Sequence, residues 1–290
     1  MRAGGDATIM ETPAAFLARL EASAVRTETP CGDGKMVWHC WGSGPNLVLF
    51  HGGAGSWRHW AHNIDVLSKS YRLVVPDLPG LGESADPPSR DDVTAVAAIV
   101  AAGIDIQIGP ESRYDVVGFS FGSTMAGCVA AIHGARLRSV TLVGSGAIGP
   151  SSSMIELLKV RHLAGEERVA AHRTNLNRLM IADPAKIDDL ALIIQEWNTV
   201  RSRLKSPVLS RSGALLRALD KVHVPLNGIW GGSDAPANPL ATQRMRTMRE
   251  LRPDADVHLI PGAGHWVAYE APEEFNRVLL TMLARTRPTG

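Results

Sequence analysis

The hydrophobic positions of this chain alternate between short apolar runs and longer stretches with helical spacing. The short runs predict strands near 36–41, 46–50, 71–76, 114–119, 138–143, 225–230 and 256–260. The longer stretches predict helices near 57–68, 91–105, 121–133, 238–250 and 271–285. Strand and helix in regular alternation mark the α/β class, with a mainly parallel sheet between helical layers. Phe16, Leu17, Leu20 and Val25 recur at helical spacing, so 12–25 predicts a short leading helix. After Val143 the rhythm breaks. No buried strand is apparent from about 146 to 211, where Met154, Ile155, Leu157 and Leu158, then Leu190, Leu192, Ile193, Ile194 and Trp197, predict amphipathic helices. The expected division is a core of 1–145 and 212–290 and a helical cap of 146–211, hinged at 150–153 and 205–207.

Within this pattern, Gly118-Phe119-Ser120-Phe121-Gly122 joins a predicted strand to a predicted helix. A serine at such a junction sits on a tight turn, and the flanking glycines let backbone approach without Cβ clashes. The turn exposes the hydroxyl at the sheet edge, and the helix aims its first N–H groups at the same spot. A serine that only capped the helix would not need both glycines.

A hydroxyl attacks a carbonyl only when a base takes its proton and a third group orients that base. Asp234 follows the run 225–230 in a glycine loop, and His265 follows the short strand near 256–260. Both lie at strand ends, where open α/β sheets place their sites. Asp220, Asp254 and Asp256 are rival acids without that placement, and His133 and His172 fall on predicted helices. The glycine-rich stretch 51–55 follows the apolar strand 46–50, so the N–H groups of Gly53 and Phe121 are the candidate oxyanion donors. His51 is expected to brace its loop, and Asp77 to hold a turn through backbone N–H groups.

On these motifs, together with 76–84, the chain resembles the α/β-hydrolase-fold enzymes from about Val37 to Ala284. The resemblance implies an eight-stranded, mainly parallel sheet with a helical cap over the site. It also implies a Ser120–His265–Asp234 triad and a small-molecule carbonyl substrate. Stretch 51–55 and Gly264-His265-Trp266 are similar to the meta-cleavage-product hydrolases, which cut C–C bonds in vinylogous 1,5-diketones. In that subfamily an Asn usually precedes the serine, where Phe119 stands here. The expected reaction is therefore hydrolysis of a carboxylic ester through an acyl-enzyme. C–C hydrolysis and a silent, ligand-binding hydrolase fold are the alternatives. A carboxylate nucleophile, as epoxide hydrolases and dehalogenases of this fold use, is excluded by Ser120.

Pocket candidates are Phe119, Trp197, Trp266 and the cap arginines Arg203 and Arg211, either of which could clamp a substrate carboxylate. No organic cofactor or metal is expected. Net charge is +1 with acids and bases nearly balanced, which implies no nucleic-acid surface and no anionic-membrane footprint. The hydrophobic share of 45% fits a packed core. Cys31, Cys40 and Cys128 lack disulfide or zinc spacing. With no secretory leader or membrane span in view, the expectation is a cytoplasmic protein, with a homodimer allowed.

Overall fold

A computed structural model describes residues 11–149, 155–237 and 241–286. The strands are β1 (Val25–Cys31), β2 (Gly34–Trp41), β3 (Asn46–Phe50), β4 (Arg72–Pro76), β5 (Tyr114–Phe119), β6 (Leu137–Val143), β7 (Leu226–Gly231) and β8 (Asp256–Ile260). They form one eight-stranded sheet in the order β1-β2-β4-β3-β5-β6-β7-β8. β1 and β2 pair antiparallel, as do β2 and β4, and every other pair is parallel.

Side-chain alternation along the strands divides the core into two layers. In β3, Val48 and Phe50 face one layer, while Leu47 and Leu49 face the other. The first layer is closed by α3 (Val93–Ile108), α4 (Phe121–His133), α8 (Ala214–Leu219) and α9 (Ala241–Leu251). The second is closed by α1 (Pro13–Ala22), α2 (Ala61–Leu67), α10 (Val267–Glu270) and α11 (Pro272–Arg285). All three cysteines are free and buried. Among the described residues no helix is long and apolar enough to cross a membrane.

The leading helix ends at Ala22, earlier than expected, and buries Leu17 and Leu20. The Trp41 indole N–H donates to the Leu20 carbonyl at 2.8 Å, which fastens the helix to β2. Val25 instead opens β1, a strand that the hydrophobic pattern does not reveal. Its sequence, VRTETPC, is mostly polar because it is an edge strand, held by pairing with β2 rather than by burial. The edge also tolerates Pro30, and Gly32, at φ +56°, turns the hairpin.

Between β6 and β7 the described residues hold α5 (Gly165–Leu179), α6 (Asp189–Val200), α7 (Ser206–Ser210) and then α8, with no strand. Residues 155–158 are not helical, contrary to their apolar spacing. The Asn175 side chain accepts from the Leu158 N–H at 2.8 Å and donates to its carbonyl at 2.9 Å, so it takes up the backbone groups that a helix would use. Met154 and the expected hinge 150–153 lie outside the described residues, as does the start of the helix expected from 238. The other expected hinge is ordinary helix start, with Lys205 preceding Ser206 and Pro207 at the head of α7.

Two clamps, an exposed one at Arg203 and a buried one at Glu270, tie this segment to the core. Arg203 donates through Nε to Asp86 at 3.0 Å and through Nη2 to the Ser84 carbonyl, and its backbone N–H reaches the Gly80 carbonyl at 2.9 Å. Glu270 accepts from the N–H groups of Ala182 (3.0 Å), Asp183 (2.8 Å) and Gly264 (2.7 Å).

Three histidines are buried in neutral form. Burial, with Arg58 and Arg26 nearby, lowers the His39 pKa to about 3. Burial lowers His51 to about 4, and it holds His59 well below its ordinary value. Each would take up a proton near pH 6.5 once unfolded, so their stabilising contribution is complete above that pH and is lost on acidification. Asp77 acts the other way. Burial raises its carboxyl to about 6, so its contribution is complete below 3.8 and lost as pH rises through about 6. Burial also lowers His62 and His133, so histidines that refuse a proton when folded outnumber the one carboxyl that gains one. Stability should therefore fall as pH drops from 6 to 4. Denaturant midpoints measured against pH check this, and His39→Phe should reduce the slope by one proton's worth.

Candidate active site

Ser120 sits between β5 and α4 with φ +53° and ψ −113°, a conformation that side chains other than glycine rarely adopt. The cause is crowding at the turn. A Cβ at Gly118 would lie 2.1 Å from the Gly122 carbonyl oxygen, and one at Gly122 would lie 2.4 Å from that of Phe50. Only glycine fits at either place, so the helix can start hard against the ends of β3 and β5. The Ser120 N–H donates to the Val143 carbonyl at 2.8 Å, and the Ser123 hydroxyl donates to the Gly118 carbonyl at 2.7 Å, which fixes the turn from both sides.

The Ser120 hydroxyl is thereby left half-buried, 2.9 Å from Nε2 of His265. The opposite ring nitrogen, Nδ1, is 3.1 Å from Oδ1 and 3.2 Å from Oδ2 of Asp234. Asp234 is fully buried, and Ala237 donates its N–H to Oδ1 at 3.2 Å. A buried carboxylate beside Nδ1 favours the tautomer with its proton there, leaving Nε2 to accept from the serine. The two loops are also bonded to each other, since the Ser233 N–H donates to the Ala263 carbonyl at 2.9 Å.

The stretch 51–55 lies against Ser120. A Cβ at Gly52 would come within 3.4 Å of the Ser120 Cβ, and one at Gly53 within 3.8 Å of the Phe121 Cβ. As the first residue of α4, Phe121 has no partner within the helix for its N–H. His51 braces the loop: Nε2 accepts from the Leu78 N–H at 2.9 Å, and Nδ1 pairs with the Gly52 carbonyl at 2.8 Å. Asp77 accepts from the N–H groups of Trp57 and Glu83, both at 2.9 Å. Among the described residues, the two non-glycine positions with positive φ are Ala54 and Ser120, so backbone strain is concentrated at this one place.

The fold brings Ser120, His265, Asp234, Gly53 and Phe121 together. Among the five pocket candidates, Phe119 and Trp266 are buried. The Phe119 ring is 5.1 Å from that of His265, and the Trp266 indole donates to the His59 carbonyl at 2.9 Å. Trp197 is stacked between Arg58, at 3.7 Å, and Arg201, at 4.2 Å. Arg203 is held by the core clamp, and Arg211 lies exposed at the end of α7.

Three contributors escape the sequence pattern. His59, which accepts from the Gly52 N–H at 3.2 Å, looked like one more helical histidine. Glu270 acts only on backbone N–H groups, one of them on Gly264 beside the base. Ser206 comes from α7, and its hydroxyl would be 2.3 Å from a Cβ at Gly53. That contact requires glycine at 53, and no local motif announces it.

One group of side chains has metal-like spacing, with ligand atoms of Glu21, His39 and Glu83 within 4.8 Å of one another. Arg58 is 3.1 Å from Glu21, and Arg26 is 3.8 Å from Glu83. These arginines compete with any cation there.

The model of the alpha/beta hydrolase family matches residues 47–278, which include every residue of the Ser120 cluster. The chain belongs to the alpha/beta hydrolase family. It is 29% identical over 311 residues to the dihydrolipoyllysine-residue acetyltransferase component of an acetoin cleaving system from Pseudomonas putida, covering 97% of this chain and 76% of that protein. It is 28% identical over 260 residues to 2-hydroxy-6-oxo-6-phenylhexa-2,4-dienoate hydrolase from Burkholderia cepacia, covering 84% of this chain and 89% of that one. The fold matches the crystal structure of a Rhodococcus esterase with a TM-score of 0.72 at 20% identity, covering 91% of this chain and 100% of the esterase. This alpha/beta hydrolase thus has a relative named as a dienoate hydrolase and a structural neighbour named as an esterase.

The crowding at the elbow is open to direct test. Gly122→Ala should destabilise this hydrolase by about 3 kcal/mol or more, because the colliding atoms are backbone. Gly146→Ala, whose Cβ would meet nothing within 4 Å, should stay within about 0.5 kcal/mol of the parent. Chemical denaturation of both variants checks the contrast.

Proposed function

We propose that this protein is a serine hydrolase of small carbonyl substrates, with carboxylic esters as the substrate class. The supporting observation is the unbroken hydrogen-bond chain Ser120 Oγ–His265 Nε2, 2.9 Å, and His265 Nδ1–Asp234, 3.1 Å. His265 takes the hydroxyl proton as Ser120 attacks the carbonyl carbon. The N–H groups of Gly53 and Phe121 receive the negative charge that develops on oxygen. The tetrahedral intermediate collapses, His265 returns the proton to the leaving alcohol, and water repeats the sequence on the acyl-enzyme. The helices between β6 and β7 form a cap that excludes water and selects the acyl group.

A second reading, C–C bond hydrolysis of a vinylogous diketone, draws on the 28% identical dienoate hydrolase. Phe119 favours the ester reading, because an apolar ring before the nucleophile offers no polar contact to a dienol-diketone. A short-chain aryl ester assayed beside a dienol-diketone separates the two. The ester should be turned over faster, and turnover of the diketone alone would reverse the assignment. Ser120→Ala or His265→Ala should lower kcat by roughly 10⁴–10⁶, and the double variant should cost little more. Asp234→Asn should cost roughly 10⁴ at most. Losses that multiply in the double variant would show that the two side chains do not act as a unit.

A further inference from the structure

A cleft of about 710 Å³ lies where the segment after α6 meets the loop between β4 and α3. Five cationic side chains line it, Arg90, Arg161, Arg168, Arg203 and Lys205, and no lining residue is acidic. They come from three separate stretches of chain, so local sequence does not account for their meeting. Asp86 pairs with Arg90 at 2.5 Å and with Arg203 at 3.0 Å. Glu196 pairs with Arg168 at 2.8 Å. Five cations against two acids leave an excess of three positive charges around one concavity. Arg161 spends one donor on the Ser202 carbonyl, at 2.7 Å, and keeps the rest of its fork. Lys205 is exposed, and its ammonium has no hydrogen-bond or ion-pair partner among the described residues.

Positive potential gathered in a concave site concentrates anions there. Guanidinium forks match the tetrahedral oxygens of phosphate in pairs, and an ammonium adds a point charge. The cleft has the size of a small-molecule site, within the roughly 300–1,000 Å³ usual for them. A flat basic face would suit a membrane or a nucleic acid, whereas a concavity of this size suits a soluble ligand. We propose that this cleft binds the phosphate groups of a small phosphorylated molecule. The site is separate from the Ser120 triad and does not depend on the ester reading.

Calorimetric titration of the full chain with inorganic pyrophosphate tests this. Binding should be measurable at micromolar to millimolar concentration and should weaken as salt rises. Lys205→Ala leaves no partner unpaired, so it should fold normally and weaken binding by about tenfold, with charge reversal in Lys205→Glu abolishing it. Arg161→Ala should weaken it by a similar factor. Ser120→Ala should bind as the parent does, so loss of hydrolysis and loss of the anion site are read separately. Co-sedimentation with vesicles containing phosphatidate is the companion measurement, and the protein should stay in solution. No heat with pyrophosphate, binding indifferent to Lys205 and Arg161, or capture by the vesicles in place of pyrophosphate binding would each overturn the proposal.

Discussion

The close approach of α4 to the ends of β3 and β5 is the constraint on which the site depends. No Cβ fits at Gly118 or Gly122, so the chain turns within a single residue, and that residue is Ser120. Holding a serine at φ +53° costs on the order of 1–3 kcal/mol. The two elbow hydrogen bonds and the buried β5–α4 packing around them offset that cost. The geometry then does three things at once. It lifts the hydroxyl toward His265, starts α4 directly at Phe121, and brings Gly52 and Gly53 alongside. Ala54, the other strained non-glycine residue among those described, lies in the loop that meets the elbow.

The parts legible in the sequence are those that depend on neighbours along the chain. A strand, a tight turn and a helix in succession identify Ser120, and glycine loops after strands identify Asp234 and His265. The parts that stay hidden depend on distant partners. β1 is mostly polar and is held by pairing along the edge that β2 offers. α5, rich in charged residues, buries only Ala171, His172, Asn175 and Leu176 and carries too weak an apolar stripe to be noticed. Residues 155–158 have helical spacing but are held by Asn175 in another conformation. Trp266 follows His265 in sequence and is buried, stacked on Tyr269 at 4.2 Å.

The segment between β6 and β7 is joined to the His265 loop and to the stretch 51–56 by buried polar groups. Glu270 bonds both to 182–183 and to Gly264, and the Trp266 N–H donates to the Met180 carbonyl at 2.7 Å. Ser56 donates to Asn198 of α6 at 2.7 Å, which ties the end of the 51–55 loop to the same segment. A shift of those helices would therefore be felt at His265 and at Gly53. Neutral, buried His51 and His59 hold the loop without adding charge near His265.

The central claim is that this strained serine is an activated nucleophile. Treating the full chain with a fluorophosphonate and mapping the adduct by peptide mass spectrometry addresses it directly. The account predicts one adduct on Ser120, absent in Ser120→Ala and greatly slowed in His265→Ala. Labelling that persists undiminished in Ser120→Ala would contradict it.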